Sequence, residues 1–387
     1  MVTKDELKNR RHKLFAALGN DWDTVFIINK VNQYYLTGTF QDGLLVMKNC
    51  GDILFFVRRS FERAKAESPL DNIYPMTSYK DASAVIGKNC GRTFLETETV
   101  TISIMQRLKK HFVFDSVISI EQPMARARSV KSQYELKLLE QAGSLHNDFL
   151  VNDVPALIKE GLSEAEFSGI LYKEMLKAGH NGFLRFGMFQ TEMLFGQIAF
   201  GENSLYPTNF DGPGGMRGMN PAIPSVGSND RLLKKGDLIF LDFAFNIEGY
   251  HTDKTQIYMY GANPTAYVSN VHRECLKVQS DTAKMLKAGN TPANIYKAIT
   301  ESLDKDFLSG FMGTSRFLGH GIGLHVDEFP AIAAGFNEPL QENTAIALEP
   351  KKGIEGVGLV GAEDTYIVTS SGGRCITGGG RDIIVVP

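Results

Sequence analysis

Cysteine is scarce in this sequence, and long apolar runs are missing from it. Four cysteines occur among 387 residues, and no two of them have the C-x-x-C spacing of a zinc knuckle. We therefore expect free thiols rather than a disulfide framework. No stretch approaches the roughly 20 apolar residues that cross a bilayer, and the start MVTKDELKNRRHKLF has no apolar segment typical of a signal peptide. These absences predict a cytoplasmic protein that does not insert into a membrane.

An excess of charge of one sign is also missing. Lysine and arginine total 41 and aspartate and glutamate total 44, so the formal net charge is -3. Without a basic stripe or a polybasic run, neither nucleic acid nor a membrane surface is expected as a partner. The hydrophobic share of 43% is normal for a globular protein, and 387 residues exceed one ordinary hydrophobic core. The sequence therefore predicts two domains.

The predicted first domain comprises residues 1–122. Short β-rich runs such as TVFIINK (24–30) alternate there with helical segments, which indicates a compact α/β domain. Residues 123–133 begin with a proline, contain several basic side chains and show no clear periodicity, so we interpret them as a linker. The second domain is predicted to span residues 134–387.

The second domain combines strongly helical stretches with apolar strands. Ser163 and Glu166 form an S-x-x-E capping box that predicts the start of one helix. IKEGLSEA (158–165) is echoed by LKAGNTPA (286–293), which indicates either a chance similarity of two helix joints or a duplicated half-domain. Four strand-like runs lie between and after these helices: GDLIFLDFAF (236–245), TQIYMYG (255–261), NTAIALEP (343–350) and AEDTYIVT (362–369). We expect helices packed over a mainly antiparallel sheet, an α+β arrangement.

Acidic side chains interrupt these apolar strands, where an ionised carboxylate is costly to bury. If Ile247 and Glu248 form the centre of the turn in NIEG, Asp242 and Asp253 face each other across an antiparallel pair. Directly opposed Cβ atoms lie about 4.5–5.5 Å apart, so two such carboxylates repel unless one is protonated or a cation lies between them. This geometry favours a cation. As the alternative, each acid taken alone caps a turn or pairs with a lysine.

Further acids and one imidazole extend this set. Glu349 follows the run TAIAL, Glu363 and Asp364 open EDTYIVT, and His320 lies in the glycine-rich stretch GHGIGLHVDEFP (319–330). Many oxygens with one nitrogen suit Mn, Fe, Co or Zn, whereas the thiolates of a soft site are absent. A pair of such ions about 3.5–4 Å apart would activate a water and polarise a carbonyl.

The motifs LDF, YHTDKT, GHGIG, LEP and AEDT resemble the metal-site motifs of the creatinase/prolidase/aminopeptidase P/methionine aminopeptidase family. The resemblance covers nearly the whole chain, and VNQYYLTGTF (31–40) is similar to the smaller domain of the prolidase branch. It implies a creatinase-like α/β domain followed by a pita-bread domain with pseudo-two-fold symmetry. It also implies a homodimer.

The resemblance implies, in addition, the ligands of two divalent ions, which would be Mn, Co, Fe or Zn. Asp242 would bind one ion, Asp253 and Glu363 would bind both, and His320 and Glu349 would complete the second. A shared water or hydroxide would attack the scissile carbonyl, with Glu349 also handling the proton. The glycines beside His320 would let its loop approach the ion.

The substrate-facing residues depart from the family pattern. The family usually has a histidine where this chain has Asp327, and a second one where it has Ser225. A neutral imidazole can donate a hydrogen bond to an oxyanion, whereas an ionised carboxylate can only accept one. Asp327 would serve if protonated, or act as a general base, and His251 or His325 would compensate. As the alternative, each of these two histidines is an ordinary surface or packed residue.

The sequence thus predicts a dinuclear metal-dependent hydrolase of the Xaa-Pro peptidase type, which cleaves a short peptide next to proline. Its catalytic residues would be Glu349, Asp327 and His325. One alternative keeps the metals but acts on a small molecule as a hydrolase or lyase, with Asp327 as the base. The other is a binding protein without catalytic activity, which the five ligands make the weakest of the three.

Overall fold

A computed structural model describes all residues of the chain, Met1–Pro387, which form two compact units. The first unit is Met1–Arg128 and the second is Ser129–Pro387. None of the helices is both long and apolar enough to span a bilayer.

The stretch predicted as a linker, residues 123–133, begins inside a helix. Residues Glu121–Ser129 form a helix, and Pro123 is tolerated because it lies in the first turn. Met124 and Ala127 are buried at helical spacing. The hydroxyl of Tyr35 also donates a hydrogen bond of 2.9 Å to the carbonyl of Ala127. This helix therefore packs as part of the first unit.

The first unit is a six-stranded mixed sheet with helices, which confirms the predicted α/β domain. Its strands are β1 (Thr24–Ile27), β2 (Gly43–Lys48), β3 (Ile53–Val57), β4 (Ile73–Pro75), β5 (Asn89–Leu95) and β6 (Val113–Ser119). Its helices are α1 (Lys4–Leu18), α2 (Lys30–Thr37), α3 (Phe61–Glu67), α4 (Tyr79–Ile86), α5 (Ile102–Lys109) and α6 (Glu121–Ser129). The order is β4-β3-β2-β1-β5-β6, with β2 antiparallel to β1 and β3 and the other pairs parallel. The central strands are buried on both faces, as expected of a covered sheet.

The second unit contains two larger sheets and one two-stranded ribbon. Its helices are α7 (Gln133–Asp148), α8 (Val154–Leu157), α9 (Glu164–Lys177), α10 (Ala266–Met285), α11 (Pro292–Ser302) and α12 (Lys305–Leu308). Its strands are β7 (Gly196–Phe200), β8 (Leu238–Ile247), β9 (Tyr250–Tyr260), β10 (Phe317–Gly321), β11 (Glu328–Ala333), β12 (Ala345–Leu348), β13 (Lys351–Ile354), β14 (Gly358–Gly361), β15 (Asp364–Val368), β16 (Gly373–Cys375) and β17 (Ile384–Val386). The sheet orders are β17-β9-β8-β7 and β11-β10-β12-β15-β16, and β13 pairs with β14. All pairs are antiparallel except β17 with β9.

Each of the two larger sheets is covered by its own helix pair, which accounts for the sequence echo. Side chains of α7 and α9 pack on β7, β8 and β9 in one apolar core, while α10 and α11 pack on β10, β12 and β15 in another. Ser163 caps α9 through the predicted capping box with Glu166. Thr291 caps α11 at the equivalent place, and Pro292 takes the first helical position. The α+β arrangement is therefore confirmed.

The hairpin of β8 and β9 has a different register from the predicted one. Glu248 (φ 49°) and Gly249 (φ 81°) occupy the two central turn positions, so Asp242 faces Thr255 rather than Asp253. A two-residue turn with positive φ at both centres accepts glycine readily but not a β-branched residue, which the prediction had placed there. Because the shift is two residues, Asp242 and Asp253 still share one face of the sheet as diagonal neighbours.

Candidate metal centre

The five side chains predicted as metal ligands converge, and both larger sheets contribute to the group. They are Asp242 on β8, Asp253 on β9, His320 on β10, Glu349 directly after β12 and Glu363 directly before β15. Each is buried or has only a small exposed fraction. Several carboxylates thus share one dry region, where they repel unless cations or protons neutralise them.

Three members of this set form the tightest group. One ligand atom from each of Asp253, His320 and Glu363 lies within 4.8 Å of the other two. Backbone contacts between the sheets fix these positions: the N–H of Thr255 donates to the carbonyl of Glu363 at 3.2 Å. Asp253 and Thr365 are joined by two hydrogen bonds, of 2.9 and 3.1 Å. The group is therefore held by main-chain geometry rather than by flexible side chains alone.

His320 presents its two ring nitrogens to different partners. Nδ1 lies 3.0 Å from the carbonyl of Gly321 and 3.3 Å from Oδ1 of Asp327. Nε2 lies 3.5 Å from Oε1 of Glu349 and 3.6 Å from Oε1 of Glu363. A neutral imidazole with its proton on Nδ1 donates to the first pair and leaves Nε2 free to bind a cation among the acids.

The glycines beside His320 have a different role from the predicted one. They lie in strand β10, not in a loop, and they let neighbouring strands approach. A Cβ atom on Gly319 would lie 2.1 Å from the carbonyl oxygen of Ala347, and one on Gly321 would lie 2.4 Å from that of Phe329. The glycines therefore make room for main chain, and His320 is positioned by close strand packing.

Lys351 is the central residue that the sequence analysis did not consider. Its ammonium lies 2.9 Å from Oδ2 of Asp242, 2.9 Å from Oε2 of Glu349 and 2.7 Å from Oε2 of Glu363. The side chain is fully buried, and Nζ lies 5.9 Å from the ring centroid of Phe240. The signal in the sequence was the lysine itself, which follows the predicted ligand Glu349 by two residues.

The carboxylates of the cluster have strongly altered affinities for protons. Burial raises the pKa of Asp242 to about 7 and that of Glu349 to about 8. Burial and the neighbouring Glu363 raise the pKa of Asp253 well above its usual range. Burial alone would raise the pKa of Glu363 as well, but Lys351 and His320 outweigh it and lower the pKa of this carboxyl. Glu363 is therefore the acid that keeps its charge most firmly.

The two basic groups of the cluster have altered pKa values too. Burial alone would lower the pKa of Lys351, but the carboxylates of Asp242, Glu349 and Glu363 outweigh it and raise that pKa well above the usual value. For His320, the neighbouring carboxylates led by Asp327 likewise outweigh burial and raise the pKa well above its usual value. Without a bound ion, the cluster thus holds protons and the ammonium as its counter-charges.

The residues present fit one divalent ion well. Oε1 of Glu363 is buried and accepts no hydrogen bond, and it faces Nε2 of His320. With Asp253 these groups supply oxygen and imidazole ligands, the donors that suit Mn, Fe, Co or Zn. The place among Asp242, Glu349 and Glu363 does not fit a second ion, because the ammonium of Lys351 already lies there.

The other predicted site residues lie around this cluster or away from it. Asp327 is partly buried beside His320, and its Oδ2 accepts no hydrogen bond; burial raises the pKa of this carboxyl. His325 lies beside Gly187, and its backbone N–H donates to Glu328 at 3.0 Å. The structure does not group His325 with the ligand atoms of the cluster.

His251 is a buried structural residue in this arrangement. Its Nδ1 lies 2.8 Å from the carbonyl of Gly323, and its Nε2 lies 3.4 Å from that of Phe183. Burial lowers the pKa of His251 to about 4. Both nitrogens therefore face main-chain carbonyls instead of the acids of the cluster.

A small recess lies beside β7, the neighbour of the strand that carries Asp242. Gln197 faces Asp242 across β7 and β8, and its Oε1 is buried without a hydrogen-bond partner. Ser225 lines the same recess, together with Thr208 and Phe210. The serine that replaces the expected family histidine thus lies near the cluster, in surroundings that offer hydroxyl and amide groups.

Asp364, the acid next to Glu363, is used in a separate ion pair. Its Oδ1 lies 2.6 Å from Nζ of Lys254 and accepts a hydrogen bond of 2.8 Å from Thr377. Lys254 also donates to the carbonyl of Gly379 at 3.2 Å. This pair is fully buried, and its members lie outside the set of predicted ligands.

Known proteins share this fold and these domains. The chain is similar over 98% of its length to a Xaa-Pro dipeptidase of Pyrococcus furiosus, with 24% identity and 100% of that protein covered. An X-Pro aminopeptidase structure from Thermotoga maritima superposes with a TM-score of 0.77 at 24% identity, covering 94% of this chain and 98% of that one. A Xaa-Pro dipeptidase structure from Bacillus anthracis gives a TM-score of 0.78 at 23% identity, covering 98% and 99%.

Family models assign both parts of the chain. Residues 10–130 match the creatinase/prolidase N-terminal domain. Residues 137–370, more than half of the chain, match the metallopeptidase family M24. This match includes all five predicted ligand positions and Lys351. The chain belongs to metallopeptidase family M24.

Proposed function

We propose that this protein is a metal-dependent peptidase that cleaves a short peptide at a bond next to proline. The observation that carries the proposal is the buried group of Asp253, His320 and Glu363, whose ligand atoms lie within 4.8 Å of one another. The relatives described as Xaa-Pro dipeptidases and X-Pro aminopeptidases support the substrate class.

These three residues would hold a divalent ion, with Nε2 of His320 as the nitrogen ligand. A divalent ion bound here polarises a carbonyl and lowers the pKa of a water. The burial of Asp253 and Glu363 excludes bulk water and strengthens every electrostatic interaction at this place. The protein's part is thus to supply a dry, preorganised set of charges.

Glu349 is the residue that would move a proton. Its Oε2 is held by Lys351 at 2.9 Å, and its Oε1 faces His320. Burial raises the pKa of Glu349 to about 8, so this carboxyl holds a proton more readily than an ordinary glutamate does. It would take a proton from the attacking water and return it to the leaving nitrogen.

Asp327 would act as a positioning residue. Its Oδ1 lies 3.3 Å from Nδ1 of His320, on the opposite side of the ring from Nε2. A carboxylate at this place fixes the tautomer and the orientation of a metal-binding histidine. This role accounts for an acid at position 327 without requiring it to contact the substrate.

A second candidate function rests on the other oxygen of the same residue. Oδ2 of Asp327 is buried and accepts no hydrogen bond, and burial raises the pKa of this carboxyl. A small-molecule hydrolase or lyase with Asp327 as its base is therefore the alternative. His325 as a further catalytic residue stays a prediction.

Several finer predictions are part of the proposal. The ion would be Mn, Co, Fe or Zn, because the donors combine carboxylate oxygens with one imidazole nitrogen. The sequence predicts two ions. The ammonium of Lys351 lies among three of the expected ligands and so affects how many ions can bind. A cytoplasmic location, a homodimeric state and the absence of nucleic-acid partners stay predictions of the sequence analysis.

The test is a peptide panel on the full-length protein, stripped of metal and reloaded with Mn(II) or Co(II). The panel contains Xaa-Pro dipeptides, longer Xaa-Pro-Xaa peptides and matched peptides with alanine in place of proline. We expect cleavage of at least one proline peptide, with little cleavage of its alanine counterpart and none by Asp253→Asn. Equal cleavage of both peptides, or full activity of Asp253→Asn, would contradict the proposal.

A further inference from the structure

The second place for a cation in this cluster is already filled by the protein itself. Lys351 donates to Asp242, Glu349 and Glu363 at 2.7–2.9 Å. An ammonium has three protons and no acceptor, so these three hydrogen bonds use its whole donor capacity. The ammonium is therefore fully coordinated by carboxylates, in the way a metal ion would be.

Both oxygens of Asp242 already accept hydrogen bonds within the protein. Its Oδ2 accepts from Lys351, and its Oδ1 accepts from the hydroxyl of Thr255 at 2.9 Å. Asp242 is the residue that the family resemblance gives to one ion alone. Because the ammonium of Lys351 already holds one of these oxygens and the hydroxyl of Thr255 the other, an ion bound by Asp242 would have to displace the lysine.

Glu363 divides the cluster into two places. Its Oε2 accepts from Lys351 at 2.7 Å, whereas its Oε1 is buried and accepts no hydrogen bond. The unpartnered oxygen faces His320 and belongs to the compact group with Asp253. One place is thus complete with an ammonium, and the other keeps a carboxylate oxygen that can bind a cation.

The formal charges of the cluster also favour an ammonium in one place and one divalent ion in the other. Asp242, Asp253, Glu349 and Glu363 carry four formal negative charges when ionised, and Lys351 supplies one positive charge. One divalent ion in addition leaves a single formal negative charge. A second divalent ion would have to share the oxygens of the ammonium, and like charges that close repel strongly in a buried region.

The lysine belongs to a strand, and its side chain is packed inside the protein. Lys351 is the first residue of β13, its side chain is fully buried, and its ammonium lies against the ring of Phe240. Gly361 faces it across the ribbon, and a Cβ atom there would lie 2.7 Å from the Cα of Lys351. The close approach of the two strands therefore fixes the backbone of Lys351, and the buried surroundings hold its ammonium among the carboxylates.

We infer that Lys351 takes the place of one of the two metal ions, so that this centre binds a single divalent ion at Asp253, His320 and Glu363. Asp242 then serves as an anchor of the lysine and not as a metal ligand. The inference depends on one part of the proposed function, namely that the centre binds a metal ion. The centre is then mononuclear, and the ammonium of Lys351 is a permanent positive charge beside the single ion.

The experiment measures how many Mn(II) ions the full-length protein binds. The chain is stripped with a chelator, titrated with Mn(II), and analysed by calorimetry, elemental analysis and electron paramagnetic resonance. We expect one ion per wild-type chain, with the spectrum of an isolated Mn(II). Two ions per chain with a spin-coupled spectrum, or no ion at all, would overturn the inference.

Variants sharpen this measurement. Lys351→Ala should double the number of bound ions and produce a coupled spectrum, because Asp242 and one oxygen each of Glu349 and Glu363 are released. Lys352→Ala is the matched control, since Lys352 is the next residue on β13 and donates to the carbonyl of Phe307 at 2.6 Å. It should leave the number unchanged.

The remaining outcomes separate the inference from the proposed function. In Lys351→Ala with Asp242→Asn, the count should return to one, because Asp242 is the ligand that the lysine otherwise occupies, and a count of two would contradict the claim that Lys351 fills a metal place bounded by Asp242. If Lys351→Ala does not fold, the wild-type count alone still decides. One ion per wild-type chain without cleavage of any proline peptide would overturn the proposed function and support the inference.

Discussion

Two buried carboxylates, one in each unit of the chain, differ in how their oxygens are hydrogen-bonded. In the first unit, Glu96 accepts hydrogen bonds from the backbone N–H groups of Ile28 and Asn29 and from the side chain of Asn32, at 2.6–2.7 Å. In the second unit, Glu363 has one oxygen on Lys351 and one without a hydrogen bond. Both are almost completely inaccessible to solvent.

The comparison shows that a buried acid does not by itself indicate a reactive site. Both oxygens of Glu96 are satisfied by neutral donors of the protein, so no ion is required there, and burial raises the pKa of this carboxyl. Glu363 keeps an orphaned oxygen beside an imidazole and a second carboxylate. An unsatisfied buried acceptor that faces other ligands is what distinguishes the metal centre from a structural network.

The largest effect is expected when one charged ligand of the metal centre is removed. Asp253→Asn should lower the affinity for Mn(II) by more than about 100-fold and abolish peptide cleavage, because a charged ligand is lost. The metal-free protein should keep its stability, since one member of a repelling group of acids has become neutral. Calorimetric titration and chemical denaturation check both parts. A destabilised protein with unchanged metal affinity would contradict the assignment.

The structural side of the comparison is tested with Glu96→Ala. This change leaves the N–H groups of Ile28 and Asn29 without their acceptor, so we expect the free energy of unfolding to fall by about 2–4 kcal/mol. Metal binding should not change. The matched control is Glu98→Ala at an exposed position nearby, which should alter stability by no more than about 0.5 kcal/mol. Urea denaturation measures both variants.

Two buried histidines also differ in their surroundings, and one of them predicts how the stability of the protein depends on pH. His320 is surrounded by carboxylates, whereas Nδ1 of His180 accepts from the backbone N–H of Asn246 at 3.1 Å. Burial lowers the pKa of His180 to about 4. The unfolded chain therefore binds the extra proton first, and stability that is complete above about pH 6.5 is lost as the pH falls towards 4.

For this one group the loss amounts to about 3 kcal/mol. Replacing His180 by glutamine, which does not titrate, should flatten this part of the pH dependence. The measurement is urea denaturation of both proteins between pH 7 and pH 4, at steps of about half a unit. Parallel curves for the two proteins would show that His180 does not contribute.

The smallest expected effect concerns the positioning of His320. Asp327→Asn keeps the size of the side chain but removes the charge beside Nδ1, so we expect the affinity for Mn(II) to fall by about 10-fold. Peptide cleavage at saturating Mn(II) should be largely retained. Loss of all turnover with unchanged metal affinity would instead favour Asp327 as a general base.

Much of the candidate site could be predicted because its residues stand out against their surroundings. Acids such as Asp242 and Glu349 interrupt apolar strands, and their order along the chain with His320 matches one family. The helix start at Ser163 could be predicted as well, since a capping box depends only on residues close in sequence. The number of ions could not be predicted in the same way, because it depends on the contacts of Lys351 with Asp242 and Glu363, which lie on other strands or beside them.

The register of the β8–β9 hairpin could not be predicted from alternation alone. Alternation places Asp242 and Asp253 on one face in either register, and the turn type decides which residues face each other. The helix over Glu121–Ser129 was missed for a related reason. Its apolar positions are few, and their burial depends on contacts with residues far away in the sequence, such as Tyr35.

The sequence by itself determined which strands carry the acids, where the helices begin and which family the motifs resemble. These features depend on periodicity and on residues close together along the chain. Only the tertiary structure decided which oxygens are already satisfied. Lys351 lies two residues from Glu349 but joins it to Asp242 and Glu363, which come from other strands. The electrostatics of the centre follow from that convergence, because Coulomb energy depends on distance in space and on burial.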